Sequence, residues 1–187
     1  MKGIVFTEFL EMIESRFSAD MVDDIIEDAN LPHAGAYTAV GTYPHEEIVA
    51  MTAALSARSK IEVSELLKSF GQHLFGRFVL GYPNFFEDVT DAFGLLSGIE
   101  NVIHTEVRKL YPDAELPKFD IEHQGSNRLI LLYDSQRHFE DLADGLMRGC
   151  IDFFGESITI ERETLGEGPS RRERFILTRM DYCLLYT

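Results

Sequence analysis

Cysteine is nearly absent from this 187-residue chain. Only Cys150 and Cys183 occur, with no C-x-x-C pair, which excludes a disulfide framework and a self-contained zinc site and fits a reducing cytoplasm. Positive charge is scarce too. With 17 Lys+Arg against 32 Asp+Glu the formal net charge is −15, which argues against nonspecific binding to nucleic acid or to an anionic membrane surface. Long apolar runs are also missing: the opening Met1-Lys2-Gly3-Ile4-Val5-Phe6 meets Glu8 and Glu11 before a signal peptide or a membrane span can form, so Met1 reads as the start of the mature chain and no membrane insertion is expected. Neither internal repeats nor low-complexity segments are found. What is present is a 45% hydrophobic composition, enough to bury a core as one domain or two intimate halves. The acidic balance favours a basic partner surface, and it demands a local cation wherever an anionic ligand is to bind.

Apolar periodicity organises the chain. Across residues 5–17, Val5, Phe9, Met12 and Ile13 recur at helical spacing while Phe6, Leu10 and Phe17 widen the stripe, which predicts a helix buried over much of its circumference. Further helices are predicted over 19–29, 45–57, 61–80, 85–96 and 99–111, interrupted at Leu31-Pro32-His33-Ala34-Gly35, Thr42-Tyr43-Pro44, Gly81-Tyr82-Pro83 and Pro112. Then the texture changes. Residues 119–123 and 128–134 read as strands, 138–154 as a helix with Phe139, Leu142, Ala143, Leu146 and Cys150 on one face, and 157–163 as extended again. Gly166-Glu167-Gly168-Pro169 turns the chain into a last strand near 172–185. Helices first and antiparallel strands second make an α+β organisation.

Among six histidines, only His104 falls in the middle of a predicted helix beside a strong apolar stripe, here Ile99, Val102, Ile103, Val107 and Leu110. An imidazole on the shoulder of such a stripe is either a hydrogen-bonded structural histidine or a nitrogen ligand presented to a metal in an apolar cavity. A second feature is Tyr133-Asp134-Ser135-Gln136-Arg137, directly after Leu129-Ile130-Leu131-Leu132. If the chain stays extended, Tyr133, Ser135 and Arg137 project from one face as a row of donors suited to a carboxylate pair. Otherwise the row is a strand end whose polar residues meet water or cap the next helix.

The Y-x-S-x-R row, the histidine on the preceding helix and the Leu-Tyr-Pro…Leu-Pro stretch between them resemble the haem-nitric oxide/oxygen-binding (H-NOX) family. The likeness extends to the Met-Lys-Gly-Ile-Val start and the Phe70-Gly71-Gln72 helix, and so covers nearly the whole chain. It implies a helical N-terminal half packed on a C-terminal half with a four-stranded antiparallel sheet and helices, with haem b between them. Residues 1–60 would be the helical subdomain, and 61–187 the α/β subdomain carrying the haem ligand. The resemblance further implies that His104 is the proximal ligand to the haem iron, that Tyr133, Ser135 and Arg137 hold the propionates, and that Pro117 presses on the porphyrin and distorts it. The row of donors also offsets propionate charge in an otherwise acidic protein.

Oxygen-binding relatives carry a distal tyrosine with polar or Trp supports, where the matching positions here are Leu142, Phe9 and Leu74. With Val5, Phe78 and Leu146 these form an apolar pocket wall. The expectation is a nitric oxide sensor whose ferrous haem also takes CO but forms no stable oxygen complex, since bound oxygen needs a distal donor. Nitric oxide would weaken the His104–iron bond and free the helix over 99–111. No kinase or cyclase domain follows within the 187 residues, so the resemblance implies signal transduction in trans through a histidine kinase or a cyclic-di-GMP enzyme, in the cytoplasm, with no catalysis by this chain. The Cys/His zinc cluster of some relatives has no counterpart in 161–174, and Cys183 reads as a small buried hydrophobe. Two rival readings are a haem-free interaction module of the same fold and, more weakly, a hydrolase using Ser135, His138 and Asp134 or Asp141. No Gly-x-Ser-x-Gly elbow surrounds Ser135.

Overall fold

A computed structural model of the chain describes residues 1–180. Four helices come first. α1 (Gly3–Arg16) buries Phe6, Phe9, Met12 and Ile13, the stripe legible in the sequence. α2 (Ala19–Ala29) starts where Ser18 accepts the Met21 N–H at 3.1 Å and stops at Asn30, whose φ of 46° leaves the helical region. α3 (Glu46–Ser59) stops in the same manner at Lys60, and α4 (Val63–Gly81) follows.

The next stretch departs from the expected pair of regular helices. A single 3₁₀ turn covers Pro83–Phe85, and α5 (Ala92–Ser97) begins only at Ala92. Asp91 is the reason. Its backbone is extended and its carboxylate accepts the Gly94 N–H at 2.7 Å, so the helix is capped there and cannot extend backwards to residue 85. A π-helical turn, Ile99–Ile103, then runs into α6 (His104–Leu110).

The strands β1 (Lys118–Gln124), β2 (Arg128–Asp134), β3 (Ile158–Leu165) and β4 (Arg172–Arg179) form one antiparallel sheet in the order β1-β2-β4-β3. A register shift interrupts the β1–β2 ladder between Ile121 and His123. Helix α7 (Glu140–Phe154) connects β2 to β3. The expected continuation of the last strand to residue 185, and Cys183 with it, lie outside the described residues.

Two compact units are distinguished. The first is Met1–Gly81 together with Asp141–Leu146, and the second is Tyr82–Glu140 with the chain from Met147 onward. α4 thus belongs with α1–α3, although the expected subdomain boundary fell after residue 60. The cause is packing: Phe70 of α4 meets Phe9 of α1 edge to face, 5.0 Å between ring centroids. In this unit the polar residues Glu8 and Glu47 are buried but paired. Glu8 accepts from Arg77 Nε at 2.7 Å, and Glu47 accepts from the Tyr37 hydroxyl at 2.6 Å with His33 Nδ1 at the same distance.

In the second unit, alternation places Leu129, Leu131 and Tyr133 of β2 and Glu173, Phe175 and Leu177 of β4 on the buried face of the sheet. Glu173 is held there by Arg162 Nε at 3.1 Å and the Thr164 hydroxyl at 2.8 Å. Arg179, at the end of β4, donates to Glu156 at 2.9 Å, stacks over Phe93 at 4.2 Å and reaches Asp91 at 3.2 Å. These contacts fasten the start of α5 to the sheet.

Candidate functional site

His104 is the first residue of α6, directly after the π-helical turn, and not in the interior of a regular helix as its spacing suggested. It is 7% exposed. The wide turn carries Glu100 beneath it, so that Glu100 Oε1 lies 3.0 Å from His104 Nδ1 and also accepts the backbone N–H of Phe119 at 2.8 Å. A carboxylate offers only acceptors, so the imidazole proton sits on Nδ1 and the lone pair on Nε2. Nε2 itself makes no hydrogen bond among the described residues. Burial, the largest influence, holds the imidazole below its usual pKa while Glu100 pulls the other way. The outcome is a neutral, oriented imidazole with a donor lone pair. Its ring lies 6.1 Å from that of Phe119, which in turn lies 5.2 Å from Tyr133.

The donor row is built differently from the extended arrangement expected. β2 ends at Asp134 and the chain turns: the Arg137 N–H donates to Ser135 Oγ at 3.2 Å, the His138 N–H to the Ser135 carbonyl at 3.4 Å, and His138 takes a φ of 52°. The alternation that would align three side chains therefore stops after Tyr133. Tyr133 is buried beside this turn, where the Ser135 hydroxyl, the Phe139 backbone and the Arg137 charge act on its phenol against the larger effect of burial. Burial raises the phenol pKa and keeps it a neutral donor.

Arg137 points across to the segment before β1, where its guanidinium donates to the Glu115 carbonyl at 3.0 Å and to the Glu115 carboxylate. Half-buried Pro117 lies two residues beyond Glu115, so this contact brings the Leu116-Pro117 stretch to the turn after β2. The Glu115 side chain is 82% exposed. A pair of that kind contributes at most about 1 kcal/mol, so another carboxylate can take its place.

These features fit an iron porphyrin. His104 supplies an uncharged nitrogen, and two hydroxyls and a guanidinium are chemically suited to a pair of propionates. The same atoms do not fit a hydrolase. The Ser135 hydroxyl accepts the Arg137 N–H at 3.2 Å, and among the described residues the exposed His138 side chain makes no hydrogen bond to it. Among the described residues, no group of three or more His, Cys, Asp or Glu side chains is arranged to hold a metal ion.

The apolar wall lies in the first unit. Val5 and Phe9 are one turn apart on α1, and Leu74 and Phe78 one turn apart on α4. Phe9, Leu74 and Leu142 are buried, while Val5, Phe78 and Leu146 are half-buried. α4 and α7 meet almost backbone to backbone: a Cβ on Gly71 would stand 2.4 Å from the Leu142 carbonyl and 2.6 Å from the Leu146 nitrogen. That closeness sets Leu142 and Leu146 against the face of α4 that carries Leu74 and Phe78.

Glu100, Phe119 and Glu115 escaped the sequence reading. Glu100 had a usable signal, since an acid four residues before a histidine on a helix faces it. Glu115 had none, because the turn that aims Arg137 at it is tertiary.

Comparison with known proteins gives a consistent picture. A family model described as haem-NO-binding matches residues 2–162. The chain is similar to the Fe(II) unliganded H-NOX protein of K. algicida, at 37% identity and a TM-score of 0.91 over 98% of each chain. It is also similar to the H-NOX of Shewanella woodyi, solved with IWP-051 in the Fe(II)CO state, at 39% identity and a TM-score of 0.83 over 100% of this chain and 99% of that one. The H-NOX of S. oneidensis in the Fe(II)NO state follows at 26% identity and 0.87, over 97% of this chain and 100% of that one. The curated protein sequences contain no match.

Proposed function

The chain belongs to the haem-NO-binding (H-NOX) family of gas-sensor domains, and from that premise we propose that it is a nitric oxide sensor that holds ferrous haem b through Nε2 of His104. The observation that carries the reading is the buried neutral imidazole whose Nδ1 is already committed to Glu100. When bound, haem would supply the iron at which the gas binds, and His104 would be the protein ligand whose bond to that iron nitric oxide weakens. Tyr133 and Ser135 would hold the propionates as neutral donors, and Arg137 would offer them its charge in place of Glu115. Pro117, held near by the Arg137–Glu115 contact, would be the residue that presses on the porphyrin.

The wall of Val5, Phe9, Leu74, Phe78, Leu142 and Leu146 offers no side-chain hydrogen-bond donor, so nitric oxide and CO are accepted while bound oxygen lacks stabilisation. Once released, His104 would leave α6 free to shift, and a partner that reads the two positions with different affinity would turn the shift into a signal. That partner is a histidine kinase or a cyclic-di-GMP enzyme acting in trans in the cytoplasm, docked through a basic surface that suits the acidic chain. The chain itself performs no catalysis. Among the described residues no helix is long and apolar enough to cross a membrane.

Replacement of the imidazole tests the assignment. His104→Gly should lose haem on purification and regain it when free imidazole is added. A His104→Gly protein with an unchanged haem spectrum would show that another residue holds the iron.

A further inference from the structure

The π-helical turn before His104 places one carboxylate oxygen at two donors that belong to different elements. Glu100 Oε1 accepts from His104 Nδ1 at 3.0 Å and from the Phe119 N–H at 2.8 Å. Phe119 is the second residue of β1, an edge strand, and its N–H points to the open side, where the ladder with β2 supplies no acceptor. Glu100 is half-buried and stands in the π turn four residues before His104, where one of its oxygens meets both donors.

We propose that Glu100 is the positioning residue of the site: it orients the His104 ring, strengthens Nε2 as a donor and ties the imidazole to edge strand β1 at Phe119. The inference rests on the assignment of His104 as the haem ligand and deepens it. A carboxylate that accepts the second ring N–H fixes the tautomer and raises the basicity of the ligating nitrogen. The shared oxygen adds a mechanical consequence. His104 cannot swing away from its position without moving Glu100, and Glu100 cannot move without surrendering the Phe119 N–H. Displacement of one ring is therefore passed to the first residues of β1, where Phe119 also packs on Tyr133.

The test uses the ferrous holoprotein and three forms, wild type, Glu100→Gln and Glu100→Ala. The Gln variant is isosteric and guards against loss of fold. The Fe–His stretching band in resonance Raman spectra should fall in frequency from wild type to Gln to Ala, because a neutral acceptor withdraws less of the Nδ1 proton and no acceptor withdraws none. Haem should dissociate roughly 10-fold faster from the Ala variant. The Phe119 amide should exchange with solvent faster in Glu100→Ala, a change that a purely packing role would not produce at that one amide. Haem retained with an unchanged Fe–His band and an unchanged Phe119 amide in Glu100→Ala overturns the inference while leaving the haem assignment intact. Wild-type protein without any Fe–His band removes that assignment, and the inference with it.

Discussion

Cys150 lies fully buried in the second unit, its sulfur 3.9 Å from the Ala92 carbonyl, and burial pushes its thiol up to about 12. A thiol that cannot ionise is neither nucleophile nor ligand at neutral pH. In a Cys183→Ser background, native protein should resist thiol reagents at pH 8 and react only on unfolding. The linkage has a definite sign. The folded pKa is raised, so its contribution to stability is complete below the unfolded value near 9 and is lost as pH rises toward 12. Across that window wild type should lose about 1.4 kcal/mol per pH unit more than Cys150→Ser does, measured by urea unfolding. Arg137 gives a second residue-level outcome: Arg137→Ala should release haem faster than Lys118→Ala, because Lys118 is exposed and pairs locally with Asp120. Equal rates would mean that Arg137 serves Glu115 alone. His104, Tyr133, Ser135 and Arg137 were singled out by the family resemblance, since type and spacing alone left a structural histidine and a solvated strand end open. Their geometry was legible only in part: Glu100 stands four residues before His104, a local signal, whereas the Phe119 N–H that shares its oxygen and the Glu115 that takes Arg137 are brought in by tertiary contacts.

Elements with strong periodicity were readable to within two or three residues, as α1, α2, α4 and β2 show. The exception was the region 83–103, where a capping aspartate and a π turn override apolar spacing. Asp91 is therefore a sensitive position. Asp91→Ala removes the cap of α5 and a partner of Arg179, and should cost about 1–2 kcal/mol in thermal or urea unfolding. Gly145 is the other. A Cβ there would stand 2.0 Å from the Lys68 carbonyl, backbone that cannot yield without moving α4. The overpacking should outweigh the better helix propensity of alanine, so Gly145→Ala is expected to destabilise by about 1–3 kcal/mol, and a stabilised variant would show that α4 and α7 are free to part.

For the whole molecule, a net charge of −15 makes cationic groups decisive wherever an anion must be held. The α+β class and the sheet followed from the order of patterns along the chain. Assignment of α4 to the first unit did not, because it depends on the meeting of Phe70 with Phe9 and on the glycines that let α7 approach. The apolar character of the wall predicts that Leu142→Tyr will raise oxygen affinity only weakly, since Phe9 and Leu74 leave an added hydroxyl without polar support. An absorption spectrum of the reduced protein, taken in turn under argon, nitric oxide and air, tests the central claim most directly. The account predicts a five-coordinate ferrous haem spectrum under argon, a shift to a nitrosyl spectrum that lacks the histidine ligand under nitric oxide, and no stable oxy spectrum in air. A colourless protein, or a stable oxy complex, would contradict it.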